Sequence, residues 1–208
     1  MTTIPPPMFL FSLSDEAALV PRTPLIVEAY HQLLAANHER LARWEPWAVS
    51  PPVLDETRAF LEASARNWLN GSELPVAMAV RANSQWRLAG SVSLRISGYS
   101  LSGEIGYWID GGYEGRGLVS KAVAAVLDQA FGPLGLCRVT LHTDPANERS
   151  LALARRLGFV EEGLLRQALA FPSERRDQAV YGLLAEEWNK QLSRALTRRF
   201  HAHANSWG

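Results

Sequence analysis

The chain has 208 residues, of which 47% are hydrophobic and 20% charged, a composition typical of one folded domain with a packed core. Its 21 basic and 21 acidic residues give a net charge of zero, which argues against a protein that coats nucleic acid or an anionic membrane. The single cysteine, Cys137, excludes an internal disulfide, and no Cys/His spacing indicates a metal site. Because we recognise no secretory leader and no apolar run of about 20 residues, we expect a cytoplasmic protein without membrane contact.

The amino-terminal third predicts one strand and two helices. The strand covers residues 9–13, and the first helix follows Pro24. The apolar residues of this helix recur at intervals of three, four and seven, and they are Ile26, Tyr30, Leu33, Leu34 and Leu41. The segment WEPWAVSPP (44–52) interrupts the pattern, and Asp55 is predicted to cap a second helix that ends near residue 70. The predicted buried stripe of the second helix consists of Phe60, Leu61, Ala65 and Trp68.

The middle and the end of the chain alternate between strand and helix patterns. Residues 75–80, 87–96 and 104–110 predict an antiparallel meander. The following predicted elements are a glycine loop with a helix at 118–131, a strand at 136–143, a helix at 147–158 and strands at 164–171 and 178–184. A last helix begins near residue 186, and its solvated face carries Lys190, Arg194, Arg198 and Arg199.

This order of elements predicts an α+β class, with a single mixed, mostly antiparallel sheet flanked by helices. We expect one domain over residues 1–208. Its core covers about 9–188, and a helical extension covers 189–208.

The stretch Gly115-Arg116-Gly117 lies between a predicted strand and a predicted helix. Glycines at such a turn allow a tight backbone path and let a ligand approach the free amide groups at the positive end of the helix. The loop therefore indicates an anion site suited to a diphosphate, although an ordinary strand-to-helix turn explains the same residues. A P-loop is excluded because no Gly-Lys-Ser/Thr is present, and a Rossmann site is excluded because Ser120 replaces the third glycine.

Asn147 and Ser150 form a second candidate pair. They are three residues apart at the start of a predicted helix, so both lie on one side of it. An N-cap role for Asn147 and a first-turn position for Ser150 explain these residues without any function. The pair is informative only together with the glycine loop.

The two stretches IGYWIDGGYEGRGLVSKA (105–122) and NERSLALARRLGF (147–159) together resemble the GNAT family of acetyl-CoA-dependent N-acetyltransferases. More narrowly, the chain is similar to the RimJ/RimL-type branch, which acetylates N-terminal amines of ribosomal proteins. The similarity extends over residues 75–188. It implies the GNAT fold, acetyl-CoA as the co-substrate and no metal.

The resemblance also implies a path for CoA across the chain. The residues that would wrap its pyrophosphate, mostly through backbone amides, are Glu114, Gly115, Arg116, Gly117, Leu118, Val119 and Ser120. The backbone of Tyr107, Trp108 and Ile109 would pair with the pantetheine arm, in a wedge between this strand and 136–143. Glu114 departs from the Gln or Arg that often begins such loops, and its carboxylate is expected to turn outward.

The chemistry of acetyl transfer adds two candidate catalytic residues. Many family members protonate the leaving thiolate with a tyrosine at the position of Ala154, so the role passes here to Ser150, the nearest hydroxyl, while Asn147 would hold the pantetheine. Glu104 is the candidate base for the amine, and a strand-end charge is the ordinary alternative for it. A related enzyme carries a glutamate where this chain has Leu169.

The resemblance implies acetyl transfer to a primary amine by direct attack, with no metal and no covalent enzyme intermediate. The favoured acceptor is a protein N-terminal α-amine, with a ribosomal protein as the partner. The alternatives are a small-molecule amine such as an antibiotic or polyamine, and a non-catalytic acyl-CoA-binding regulator. Another acyl group, such as succinyl, and assembly as a homodimer both stay open. Trp44 and Trp47 are candidates for the wall of the acceptor pocket.

Overall fold

The computed structural model describes residues 10–193, which form an eight-stranded sheet with helices on both faces. The strands are β1 (Phe11–Ser14), β2 (Ala17–Pro21), β3 (Glu73–Ala82), β4 (Gln85–Ser97), β5 (Ser102–Ile109), β6 (Arg138–Thr143), β7 (Val160–Ala170) and β8 (Arg175–Leu184). The α-helices are α1 (Val27–Ala42), α2 (Leu54–Leu69), α3 (Leu118–Phe131) and α4 (Glu148–Arg156), and residues 185–193 are also helical. Short 3-10 turns cover Pro24–Ile26, Pro46–Ala48 and Gly111–Tyr113.

The strand order is β1-β2-β3-β4-β5-β6-β8-β7. All neighbouring strands are antiparallel except β5 and β6, which are parallel and are connected through α3. A parallel pair needs such a crossover, whereas the antiparallel pairs need only turns. The predicted meander and the predicted mixed, mostly antiparallel sheet are therefore confirmed.

Two hydrophobic layers hold the helices against the sheet. On one face, α1 and α2 pack against Ala77, Ala79 and Leu88. On the other face, α3 and α4 pack against a layer that includes Met78 and Val92. The alternation of Ala77, Met78 and Ala79 between the layers follows from the two-residue period of a strand. Both layers come together at β5, where the functional residues lie.

The structure corrects two predictions in the amino-terminal third. Strand β2 was not predicted, because its residues AALVP form a continuous apolar run without alternation; the strand lies between β1 and β3 and is buried on both faces. Asp55 is not an N-cap. Helix α2 begins at Leu54 after Val53, without a side-chain cap. Asp55 lies in its first turn, where the helix dipole stabilises a negative charge.

The buried stripe of α2 also differs from the prediction. Leu61 is buried, together with Thr57 and Ser64, whereas Phe60 and Trp68 are exposed. Phe60 instead lies under the guanidinium of Arg22, 4.7 Å from the ring centroid. A polar strip within α2 is tolerated because Ser64 accepts a hydrogen bond from Arg22 at 3.0 Å.

Arg22 and Glu73 form a buried ion pair at 2.5 Å. The pair has further hydrogen-bond partners in Ser64, Ser91 and Ser93, so both charges are compensated although they lie away from solvent. Such a network is costly to break on one side only. It fixes the end of β2 against β3, β4 and α2.

At the end of the described chain, Lys190 pairs with Glu186 at 3.5 Å. The predicted helix is confirmed as far as residue 193, and Arg194, Arg198 and Arg199 lie outside the described residues. The single-domain boundaries therefore stay a prediction. Among residues 10–193, no helix combines the length and the apolar character needed to cross a membrane.

Candidate active site

Strands β5 and β6 separate at the centre of the sheet. Their parallel ladder joins Ser102 to Arg138, Gly103 to Val139 and Glu104 to Thr140. Within the described chain the ladder ends there, although β5 continues to Ile109 and β6 to Thr143. Residues 105–109 therefore present one edge of an extended backbone to an open wedge.

The peptide groups of β5 alternate between strand β4 and the wedge. Asp110 N–H donates to the carbonyl of Ala89 at 2.8 Å, which sets the alternation. It follows that Trp108 directs its peptide groups to β4, while Tyr107 and Ile109 direct theirs into the wedge. The sequence predicted that three residues pair with an extended ligand, and the backbone groups of two of them face the wedge.

The glycine loop follows directly on this edge. Gly115 and Gly117 have φ angles of +73° and +71°, and no atom lies within 4 Å of the position that a Cβ would take at either residue. The two positions thus need glycine for their backbone conformation and not for lack of space. Gly117 is the N-cap of α3 and provides no side-chain cap, so the amides of Leu118, Val119 and Ser120 begin the helix without intrahelical acceptors.

Glu114 is held between two arginines and does not turn outward. Arg40 of α1 donates to its Oε1 at 2.6 Å, and Arg149 of α4 donates to its Oε2. Arg40 also donates to the carbonyl of Ile109 at 2.8 Å, so one of the two wedge-facing residues is already bonded through its carbonyl. The carboxylate thus sits at the start of the loop with its charge compensated from both sides.

Two further arginines border the loop. Arg116 stacks over the ring of Tyr113, with its guanidinium carbon 5.2 Å from the ring centroid. Arg156 of α4 donates to the hydroxyl of Ser120 at 2.9 Å. Together with Lys121, which also lines the cleft, they make this end of the cleft cationic.

Asn147 and Ser150 occupy the start of α4, across the wedge from β5. The side chain of Asn147 accepts a hydrogen bond from the N–H of Ser150 at 3.2 Å, so Asn147 is the N-cap of α4. The hydroxyl of Ser150 lies 2.8 Å from the hydroxyl of Tyr107. Burial raises the pKa of Tyr107 to about 12, although the hydrogen bond with Ser150 acts in the opposite direction. Tyr107 therefore keeps its proton at neutral pH.

Glu104 lies at the point where β5 and β6 separate. Its carboxylate accepts a hydrogen bond from Arg95 of β4, and its second oxygen is 3.9 Å from Nδ1 of His142. Glu104 thus lines the cleft at the closed end of the wedge, and its role as a base stays a prediction. Its carboxylate is paired with Arg95.

Glu45 is a cleft residue that sequence analysis missed. It lies in the WEPW segment between α1 and α2, whose tryptophans were predicted to line the acceptor pocket but whose glutamate was not singled out. Its Oε2 accepts a hydrogen bond from the indole of Trp47 at 2.8 Å. Burial raises the pKa of the Glu45 carboxyl above its usual value, while the Trp47 hydrogen bond and the charge of Arg95 pull it back. A carboxylate between two tryptophans was the signal that could have identified it.

Every predicted site residue except Arg116 lines one continuous cleft of about 1950 Å³, and Glu45 lines it too. Its cationic end lies at the loop of 114–120, and its other end is lined by Trp44, Glu45, Trp47 and Leu169. The volume exceeds the range of about 300–1,000 Å³ usual for one drug-sized ligand. The cleft is therefore large enough for an extended ligand and a second molecule end to end.

Comparisons with known proteins agree with this geometry. A family profile described as "Acetyltransferase (GNAT) domain" matches residues 18–160. The putative ribosomal N-acetyltransferase YdaF of Bacillus subtilis (strain 168) is 30% identical over 185 residues, which cover 87% of this chain and 98% of YdaF.

Solved structures share the architecture. The microcin C7 self-immunity acetyltransferase MccE, in complex with acetyl-CoA and AMP, superposes with a TM-score of 0.75 at 25% identity, over 83% of this chain and 94% of that chain. RimL, a ribosomal L7/L12 alpha-N-protein acetyltransferase in complex with coenzyme A, superposes with a TM-score of 0.79 at 23% identity, over 85% and 98%. The likeness to RimL concerns the fold. The profile spans more than half of the sequence and the wedge lies where the resemblance implied it, so the chain belongs to the GNAT acetyltransferase family.

Proposed function

We propose that the chain transfers an acetyl group from acetyl-CoA to the α-amine at the N-terminus of a protein. The observation that carries this proposal is the separation of β5 and β6 beside the left-handed glycine loop. An extended arm can pair with the free edge of β5 while its diphosphate meets the amides at the start of α3. The acetyl group then lies deeper in the same cleft.

The loop residues fit a diphosphate by their chemistry. The amides of Leu118, Val119 and Ser120 point away from the helix they begin. Arg156, which lines the cleft, and Arg116, which stacks on Tyr113 beside it, add positive charge. Tyr107 and Ile109 offer the wedge-facing backbone groups for the pantetheine. Arg40 and Arg149 compensate the negative charge of Glu114. This removes the repulsion that an unpaired carboxylate would exert on the diphosphate.

Ser150 is proposed as the proton donor to the leaving thiolate. Its side chain lines the cleft and shares a hydrogen bond with Tyr107, so a proton given up by Ser150 can be replaced from the tyrosine hydroxyl. Asn147 holds Ser150 by accepting its backbone N–H. Ala154 is buried and its side chain has no proton to donate, so it cannot serve as a second acid.

At the acceptor end, a carboxylate is proposed to take the proton that the amine loses on attack. Glu104 is the residue that the sequence predicts for this role, acting directly or through water. The C–N bond forms as the C–S bond breaks, so one proton leaves the nitrogen and one reaches the sulfur. An α-amine has a reference pKa of about 8, against about 10.4 for lysine, so it needs less help from a base.

The N-terminal acceptor is supported by the relatives. YdaF is named as a putative ribosomal N-acetyltransferase, and it is aligned over most of both chains. The aromatic wall of Trp44 and Trp47 offers an amphipathic surface for the first residues of a peptide. A ribosomal-protein acceptor would place the reaction in the cytoplasm.

The test is acetyl-CoA turnover with defined acceptors. Release of CoA thiol is followed with peptides that begin with serine or alanine, with the same peptides blocked at the N-terminus, and with spermidine. We expect turnover only with the free N-termini, and mass spectrometry should find a single acetyl group there. Preferential turnover of spermidine would favour the small-molecule alternative. Tight CoA binding without thiol release would favour the regulator.

A further inference from the structure

Two carboxylates reach the acceptor end of the cleft, and their surroundings differ. Glu104 accepts a hydrogen bond from Arg95 and has His142 at 3.9 Å on its other oxygen. Glu45 has no ion-pair partner among residues 10–193, and its single side-chain hydrogen bond comes from the neutral indole of Trp47. When two acids lie in one site, the environment decides which of them exchanges a proton at neutral pH.

The backbone holds Glu45 in place at both of its ends. Its N–H donates to the carbonyl of Leu41 at 2.8 Å, and its carbonyl accepts from the N–H of Ala48 at 3.0 Å. Pro46 and Trp47 continue directly into a 3-10 turn. The side chain is half-buried and lines the cleft, with Oε2 on Trp47 and Oε1 without a partner in the described part of the chain. One oxygen is thus oriented and the other remains to accept a proton.

Glu45 and Ser150 both line the cleft, and both influence Tyr107. The charge of Arg95 on β4 acts on the Glu45 carboxyl, and the charge of Glu45 in turn raises the pKa of Tyr107 on β5. Tyr107 is hydrogen-bonded to Ser150 of α4. Glu45 thus enters the cleft from the α1–α2 connection and Ser150 from α4, so a group that can remove a proton and a group that can supply one come from different elements.

We propose that Glu45 is the general base that takes the proton from the acceptor amine, while Glu104 stays paired with Arg95. This inference rests on the proposed function. As the amine nitrogen bonds to the thioester carbon, its proton passes to Oε1 of Glu45 and the C–S bond breaks. Ser150 supplies the proton that the thiolate takes up. Glu45 then releases its proton to solvent, and Ser150 regains one from solvent by way of Tyr107, which balances the cycle.

The same position makes Glu45 a selector for an ammonium or amine group. It is the carboxylate between Trp44 and Trp47, and aromatic faces attract a cation. Leu169 also lines the cleft and provides no charge, so the acidic group among these neighbours is Glu45.

The kinetic test compares Glu45→Gln with Glu104→Gln over a range of pH, with a free N-terminal peptide as acceptor. We expect Glu45→Gln to lower kcat/KM about 10²-fold or more and to remove the acidic limb of its pH profile. Glu104→Gln should keep that limb. Glu45→Asp should recover part of the activity. As the matched control, Glu28→Gln changes an exposed α1 carboxylate that is paired with Arg58 at 3.6 Å, and it should behave as wild type.

A second measurement follows the ionisation of the Glu45 carboxyl in the absence of substrate. The indole N–H of Trp47 donates to Glu45, so its ¹⁵N chemical shift, assigned with Trp47→Phe, follows the ionisation of this carboxyl. We expect its midpoint to coincide with the acidic limb of kcat/KM. A different midpoint, or an acidic limb that persists in Glu45→Gln, would overturn the assignment of Glu45 alone. Failure of the wild-type protein to acetylate any amine would instead refute the proposed function.

Discussion

The hydroxyl groups of Tyr107 and Ser150 lie 2.8 Å apart, one on β5 and the other on α4. They join the two elements that border the wedge, and burial keeps the tyrosine protonated far above neutral pH. A tyrosine hydroxyl thus borders the wedge, although the α4 position at which the family resemblance implies a tyrosine is Ala154. The hydroxyl reaches the site from the opposite side of the wedge.

The first prediction concerns this pair. Ser150→Ala should lower kcat about 10–100-fold and leave the Kd for CoA nearly unchanged, because the hydroxyl acts on the leaving thiolate and not on the bound ground state. Tyr107→Phe should lower kcat less, since Ser150 can then exchange its proton only with solvent. Single-turnover kinetics and calorimetry with CoA separate the two effects. Unchanged turnover in Ser150→Ala would remove Ser150 from the mechanism.

The second prediction concerns Glu114, which neutralises Arg40 and Arg149. Glu114→Gln frees both guanidinium groups to attract phosphate, so CoA should bind several-fold more tightly, and the gain should shrink in high salt. Arg149→Ala should weaken binding. Calorimetric titration with CoA at two salt concentrations measures both variants. Weaker binding by Glu114→Gln would mean that this carboxylate positions the loop.

The third prediction concerns the left-handed residue Gly117. Gly117→Ala should destabilise the protein by about 1 kcal/mol, because an L-residue pays for this backbone region even though the added Cβ meets no atom within 4 Å. It should also weaken CoA binding by distorting the amides at the start of α3. Gly98→Ala is the control, since that position is equally open but has no left-handed φ. Thermal unfolding with and without CoA gives both effects, and equal behaviour of the two variants would contradict the prediction.

The fourth prediction follows from the raised pKa of Glu45. Between the unfolded pKa of about 4.3 and the higher folded value, the folded state binds more protons than the unfolded state, so the free energy of unfolding falls as pH rises through this window. Glutamine does not titrate. Glu45→Gln should therefore match or exceed wild-type stability at neutral pH and lose this advantage in acid. Urea unfolding of both proteins across the window tests this prediction. It would be contradicted if the variant, compared with wild type, were less stable at neutral pH than it is in acid.

Local patterns predicted much of this fold. The intervals from Ile26 to Leu41 predicted α1, and the strand pattern of 75–110 predicted the meander, because each element buries one face with a fixed period. Gly115 and Gly117 marked the loop because only glycine adopts its φ angles without strain. Strand β2 was not predicted because burial on both faces removes the alternation of apolar and polar residues that identifies a strand.

The missing parts of the site depend on contacts between distant segments. The pKa of Glu45 depends on Arg95, and the pKa of Tyr107 depends on Glu45, although these residues are far apart along the chain. The partners of Glu114 come from α1 and α4, and neither was predicted. A sequence pattern identifies the residues that an element contains, whereas the pKa of a carboxyl depends on the neighbours that the fold brings to it.

The unpaired edge at residues 105–109 also affects the lifetime of the protein. A strand that lacks a neighbour on one side lacks the hydrogen bonds a complete ladder would supply, and it offers a template to other extended chains. A ligand that occupies this edge binds only the native state, so its binding free energy adds to that of folding. CoA bound along this edge is therefore expected to raise the free energy of unfolding and to protect the chain from proteolysis.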